Sequence, residues 1–215
     1  RQDDPLPGLG EQHVTGQRIV SVLADLTTVI PTRYRPAESR PAFSGTSDHS
    51  ADAYRVTSED LATILVRFDG GAKGAVTIGQ VCAGHKNDLW LEVNGATASI
   101  RWRQEHQNEL WVGRRDAPNA VLTKDPALLA PGAAGYARLP AGHQEGWADA
   151  FCNVIRDIYA VIVGGQDSGR PAFATFEDGY RVACLVDAVL DSHRQGSVAC
   201  LPISVRHACA SSAWG

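Results

Sequence analysis

The segment 88–102, DLWLEVNGATASIRW, constrains the fold more than any other part of the chain. Apolar and polar residues alternate on both sides of Asn94-Gly95, a pair that favours a two-residue type I′ turn because both positions accept positive φ. With that turn, Val93 faces Ala96, Leu91 faces Ala98 and Leu89 faces Ile100 on one apolar face. The other face sets Glu92 opposite Thr97 and Trp90 opposite Ser99, with Asp88 within reach of Arg101. Turn, register and polarity agree, so antiparallel β-structure is the expected frame.

The rest of the front half continues in strands. RIVSVLADLTTVI (18–30) is rich in β-branched residues and stops at Pro31. A Pro/Ser/Asp-rich stretch of roughly 25 residues follows, too long and polar for a tight connection, and is expected to be a surface excursion. DLATILVRF, the Gly70-Gly71 turn and KGAVTIGQVCAG make a second strand–turn–strand unit, and NELWVGRR (108–115) adds another antiparallel strand. The back half is helical. EGWADAFCNVIRDIYAVIV puts Trp147, Phe151, Val154, Ile155, Ile158 and Ile162 on one stripe, with Asp149, Asn153, Arg156 and Asp157 elsewhere on the surface. In ATFEDGYRVACLVDAVLDSHRQG, Thr175 and Asp178 make a capping-box-like start. Val182, Leu185, Val186 and Val189 form the expected buried stripe, and Gly196 ends the helix beyond His193 and Arg194. Strands first and helices later predict an α+β fold: an open, mainly antiparallel β-sheet with helices packed on one face. No βαβ alternation, G-x-G-x-x-G after a strand, P-loop or G-x-S-x-G is present.

Composition narrows the function. The 215 residues carry a net charge of −4, and the twenty Lys and Arg are scattered, so no basic stripe exists for nucleic acid. No apolar run approaches the roughly 20 residues that span a bilayer, and the N-terminus lacks a signal peptide's layout. The five cysteines, Cys82, Cys152, Cys184, Cys200 and Cys209, have no C-x-x-C and no zinc-site spacing. They read as structural residues, mostly buried free thiols, in a reducing, cytoplasmic setting.

Three blocks in order carry a resemblance: EDLATILVRFDGGAKGAVTIGQVCAGHKNDLWLEVNGATASIRWRQEHQNEL, LPAGHQEGWADAFCNVIRDIYAVI and TFEDGYRVACLVDAVLDSHRQGS. Over roughly residues 15 to 203 the chain resembles the C-terminal domain of the Gfo/Idh/MocA oxidoreductases, the glucose–fructose oxidoreductase and inositol dehydrogenase family. The resemblance implies a two-domain enzyme whose N-terminal Rossmann domain binds NAD or NADP, with hydride moving between the nicotinamide and a carbinol carbon of a sugar or polyol. It implies that the sheet forms the subunit interface and that the helical side closes over the substrate. The family's E-K-P lysine and D-x-G-x-H-x-x-D helix are missing. Residues 1–14, with Asp3, Asp4 and His13, do not supply that helix, and residues 204–215 do not match the family's ending. Both ends look foreign, as a truncated or frame-shifted gene would leave them, and both are expected to be loosely held. No catalytic, cofactor-binding or metal residue is therefore assigned, and NAD(P) is not expected to bind this chain alone.

Four residues are candidates for substrate contact. His143 and Glu145 in LPAGHQEGW either deliver the chain into a helix, with Glu145 stabilised in its first turn, or aim an imidazole and a carboxylate at substrate hydroxyls. His85, in AGHKND, is either a loop histidine or a ligand contact, and Gln80 either lines a pocket or sits on a polar strand face. Trp90, Glu92 and Thr97 mark a sheet face on which a large aromatic stands among polar residues. Either a second subunit covers that face, giving a homo-oligomer, or the tryptophan is simply exposed. Two functions fit: the substrate-binding and oligomerisation domain of an NAD(P)-dependent sugar or polyol oxidoreductase, or a non-catalytic self-associating or carbohydrate-binding module.

Overall fold

Period-two alternation in the front half does produce antiparallel strands. The computed structural model describes residues 14–35, 52–164 and 172–201. The atypical ends, with Asp3, Asp4, His13 and Cys209, lie outside the described residues, as does most of the polar excursion. Two compact units emerge: residues 17–84 with 183–215, and residues 1–16 with 85–182.

The first unit is built on β1 (Ile19–Thr27), β4 (Leu61–Phe68), β5 (Lys73–Gly79) and the short β10 (Ala199–Cys200), in the order β10-β1-β4-β5 with every pair antiparallel. Val22, Ala24 and Leu26 on β1 and Ile64, Val66 and Phe68 on β4 are buried, every second residue as one covered face requires. β4 turns into β5 at Gly71, whose φ of 87° only glycine adopts without strain. The ends of the polar excursion pair as a two-stranded ribbon, β2 (Thr32–Tyr34) with β3 (Ala53–Arg55). Buried Asp60 fixes the corner between β1 and β2, accepting the Val29 and Ile30 amides at 2.6 and 3.1 Å and Arg33 Nη2 at 3.5 Å. The Val29 amide, foremost among these groups, holds its carboxyl below the usual range against the opposing effect of burial.

Two long helices appear where periodicity placed them, α1 (Trp147–Gly164) and α2 (Phe176–Gln195). The capping box of α2 is reciprocal: Asp178 N donates to Thr175 Oγ1 at 3.3 Å, and Thr175 N donates to Asp178 Oδ2 at 2.8 Å. Its buried line differs from expectation. Val186 is 52% exposed, and in the part of the helix that belongs to the first unit Ala188 and Ser192 are the buried positions. The reason is a polar seam along β1. Beyond its short pairing with β10, the Ala24 amide donates to Ser192 Oγ at 3.0 Å and the Leu26 amide to His193 Nδ1 at 3.2 Å. The last turn of α2 thus replaces a missing strand partner.

The second unit carries β6 (Trp90–Asn94), β7 (Ala98–Arg103), β8 (Glu109–Arg114) and β9 (Ala120–Thr123), antiparallel in that order. The α+β class stands, with the strands divided between two four-stranded sheets and the ribbon. The hairpin register requires correction. Asn94 pairs with Ser99, Val93 with Ile100, Glu92 with Arg101, Leu91 with Trp102 and Trp90 with Arg103, around the connection Gly95–Ala98. Neither Asn94 nor Gly95 has positive φ. Gly95 is needed for a different reason, because a Cβ there would lie 2.9 Å from the Ala98 carbonyl oxygen. The longer loop sets Glu92 against Arg101 at 3.7 Å, and Thr97 lies in the loop instead of opposite Glu92. The shift is even, so Leu91, Val93 and Ile100 keep the face expected of them.

The stripe on α1 is amphipathic as expected but is not buried: Trp147 is 72% exposed and no residue of the helix is fully covered. The polar side is the anchored one. Asn153 Nδ2 donates to the Tyr136 carbonyl at 2.9 Å, Arg156 Nη1 to the Gly135 carbonyl at 3.0 Å, and the Tyr136 hydroxyl to Asp157 at 2.8 Å. The cysteine expectation also changes: Cys82 and Cys152 are exposed, Cys184 is half-buried, and Cys200 is disulfide-bonded.

Candidate functional site

The site around LPAGHQEGW is built from a turn and a buried carboxylate. Pro140, Ala141, Gly142 and His143 form a β-turn closed by the His143 amide donating to the Pro140 carbonyl at 3.2 Å. Gly142 has φ of 80°, the backbone that a type II turn demands at its third residue. The turn leaves His143 exposed at its end, with the Ala141 carbonyl 3.3 Å from Nδ1.

Two residues on, Glu145 points the other way and is buried. Its Oε1 accepts the Arg138 amide at 2.6 Å and the Leu139 amide at 3.1 Å, and its Oε2 pairs with Lys124 Nζ. Lys124 Nζ also donates to the Leu139 carbonyl at 3.2 Å. Asn108 secures the same segment, its Nδ2 donating to the Glu145 carbonyl at 2.9 Å and to Gln144 Oε1 at 2.8 Å. Burial is the largest influence on the Glu145 carboxyl and pushes it upward. Lys124 and the two amides together outweigh burial, so the group lies below its usual range and stays ionised. The helix begins after it, at Trp147, and Asp149 rather than Glu145 caps the helix, accepting the Gly146 amide at 3.0 Å. Lys124 and Asn108 carry no sequence signal of this role. They lie 21 and 37 residues from Glu145 and meet it only in the folded unit.

His85 belongs to a different cluster. Its Nδ1 is 3.1 Å from Asp88 Oδ2, the same oxygen that accepts Arg103 Nη2 at 2.7 Å. Arg103, more than any other group, holds the Asp88 carboxyl below its usual range. Asp88 thus reaches Arg103 and not Arg101, as the corrected register requires. Gln80 follows the end of β5 and is exposed, its amide donating to the Asp60 carbonyl at 2.9 Å. His143 and Glu145 therefore share one loop, while the hydrogen bonds of His85 and Gln80 run to other groups. Trp90 is 57% exposed on the sheet face that also carries Glu92, Arg101 and Trp111, with Arg101 stacked 5.1 Å from the Trp111 ring centre. Thr97 lines a shallow pocket with Ser99, Gly113 and Arg115.

A helix N-terminus draws a pyrophosphate by its free amides and positive dipole end. Both long helices here begin with their own carboxylate, Asp149 accepting the Gly146 amide in α1 and Asp178 the Thr175 amide in α2, which puts negative charge at both starts. Among the described residues no group of three His, Cys, Asp or Glu side chains converges on a metal position, and no helix is long and apolar enough to cross a membrane.

Comparison with known proteins agrees with the fold. Residues 16–201 match the family described as "Oxidoreductase family, C-terminal alpha/beta domain" of the Gfo/Idh/MocA group. Levoglucosan dehydrogenase of Pseudarthrobacter phenanthrenivorans is 29% identical over 178 residues, 80% of this chain and 44% of that protein. An oxidoreductase domain protein from Kribbella flavida superposes with a TM-score of 0.73 at 26% identity, covering 90% of this chain and 47% of that one. An inositol dehydrogenase homolog from Azotobacter vinelandii, solved with NADH and myo-inositol, gives a TM-score of 0.65 at 25% identity over 87% of this chain and 45% of that one. The chain spans less than half the length of each of these relatives. With the family pattern running through both units, the chain belongs to the Gfo/Idh/MocA oxidoreductase family, matching its C-terminal domain.

Proposed function

We propose that this chain is the substrate-binding and oligomerisation domain of an NAD(P)-dependent sugar or polyol oxidoreductase, inactive in hydride transfer when alone. The observation that carries the substrate part is the His143 turn, a solvent-facing imidazole on a loop held from below by the Glu145–Lys124 pair. In this reading His143 meets the sugar hydroxyls, with His85 of the same unit as a further contact, and Glu145 serves the substrate by fixing the turn. Sugar- and polyol-bound relatives support the substrate class. The cofactor comes from outside the chain, a reading supported by the two self-capped helix starts.

The sheet face of Trp90, Glu92 and the nearby Thr97 loop is the proposed contact between copies. Light scattering on the purified chain tests it. A dimer or tetramer that dissociates in Trp90→Ser supports the interface, and a monomer removes it. Calorimetry with myo-inositol tests the substrate part: saturable heat that is lost in His143→Ala supports it, and unchanged heat in that variant refutes the assignment. The alternative, a non-catalytic self-associating or carbohydrate-binding module, is favoured by the same self-capped helices. Reconstitution of turnover by adding a cofactor-binding domain of the family in trans separates the two.

A further inference from the structure

The His85–Asp88–Arg103 cluster holds more polar capacity than its place in the fold uses. The Asp88 side chain is only 4% exposed, and its Oδ2 takes both Arg103 Nη2 and His85 Nδ1. An ionised carboxylate only accepts, so a neutral imidazole in this place carries its proton on Nδ1 and keeps Nε2 as an acceptor on an exposed ring. Independently, Asp88 Oδ1 is buried without a hydrogen-bond partner. Native structures leave few such oxygens, so protein groups alone do not close this cluster. Arg103 spends Nη2 on Asp88, its remaining donors are not bonded to protein among the described residues, and its side chain is 44% exposed.

The cluster therefore offers an oriented acceptor beside a free guanidinium edge. His85 Nδ1 and Arg103 Nη2 meet at one carboxylate oxygen, so the two side chains are neighbours around Asp88. A neutral polyol satisfies the acceptor but leaves the planar fork without the carboxylate it matches best. We propose that His85 and Arg103 bind the α-hydroxy carboxylate end of an acidic sugar, with Asp88 as the positioning residue. The α-hydroxyl donates to His85 Nε2, and the carboxylate accepts from Arg103. The inference deepens the substrate reading above and rests on it for the sugar part of the ligand.

The test is a titration of the full chain with D-gluconate, followed by imidazole 15N NMR, with myo-inositol, acetate and inorganic phosphate as comparators. The free chain should show His85 as the Nδ1–H form, and Asp88→Asn should abolish that preference. Gluconate should shift His85 saturably, and Arg103→Gln should weaken it at least tenfold. Arg103→Lys, which keeps the charge beside Asp88 but not the fork, should give an intermediate loss, and it serves if Arg103→Gln does not fold. An equal response to acetate or phosphate overturns the α-hydroxy carboxylate, and an equal response to myo-inositol overturns the acidic class. If gluconate leaves His85 unmoved, the inference fails. The substrate reading survives that failure if myo-inositol shifts His143 in the same sample, and falls separately if it does not.

Discussion

Replacing Glu145 by alanine removes the one carboxylate that ties three parts of its unit together. Lys124 Nζ is left with the Leu139 carbonyl alone, and the Arg138 and Leu139 amides lose their acceptor. Removing one partner of a buried pair costs about 3–5 kcal/mol. The Lys124 side chain is 14% exposed, so its ammonium recovers some water and the cost falls toward the low end. Two orphaned amides in a partly covered loop add about 1 kcal/mol each. The expected loss is therefore about 5 kcal/mol, large for a unit in which Val112 is the one buried apolar side chain among the described residues. Lys124→Met should cost less, about 2–3 kcal/mol, because Glu145 keeps its two amides, and the pair should couple by about 1–3 kcal/mol in a double-mutant cycle. Urea unfolding followed by tryptophan fluorescence reads this unit, which holds Trp90, Trp102, Trp111 and Trp147. Amide exchange at Arg138 and Leu139 reads the loop itself. A Glu145→Ala protein within about 0.5 kcal/mol of the parent, or a coupling near zero, would refute the reasoning.

Three further outcomes are expected. Glu145, Asp60 and Asp88 all have carboxyl groups held below their ordinary values in the folded chain. Their stabilisation is complete above the unfolded-state pKa and is lost as pH falls through the folded values, so the urea midpoint should drop on acidification below about pH 4; a midpoint flat to pH 2 contradicts it. Ser192→Ala strands the Ala24 amide and the Ser197 carbonyl, bonded at 3.0 and 2.6 Å, and should cost about 2–3 kcal/mol, measured by thermal unfolding of the first unit. Gly95→Ala brings a Cβ to 2.9 Å from a backbone oxygen and should destabilise the hairpin by about 1–3 kcal/mol; cross-strand Hα contacts by NMR decide the register.

The parts of the fold that depend on local chemistry were legible. Thr175 and Asp178 cap a helix three residues apart whatever the helix packs on, and Gly71 turns the chain because few other residues can. The hairpin shows the boundary of that logic. Alternation gave its faces, but the register rests on Glu92 meeting Arg101 and Leu91 meeting Trp102, and Asn-Gly alone does not weigh those pairs. Periodicity marked the apolar side of α1 without saying what lies against it, and the structure fastens the helix by Asn153, Arg156 and Asp157 instead. At the site, His143 and Glu145 looked like neighbours with one purpose. The turn ending at His143 leaves its imidazole in solvent, and two residues on Glu145 is buried against Lys124.

The central claim is a domain that recognises a polyol but takes its cofactor from elsewhere. One ligand-observed NMR sample holding the purified chain, NADH and myo-inositol tests it most directly. The account predicts saturation transfer to myo-inositol that disappears in His143→Ala, and none to NADH. Saturable transfer to NADH, or none to myo-inositol, would contradict it.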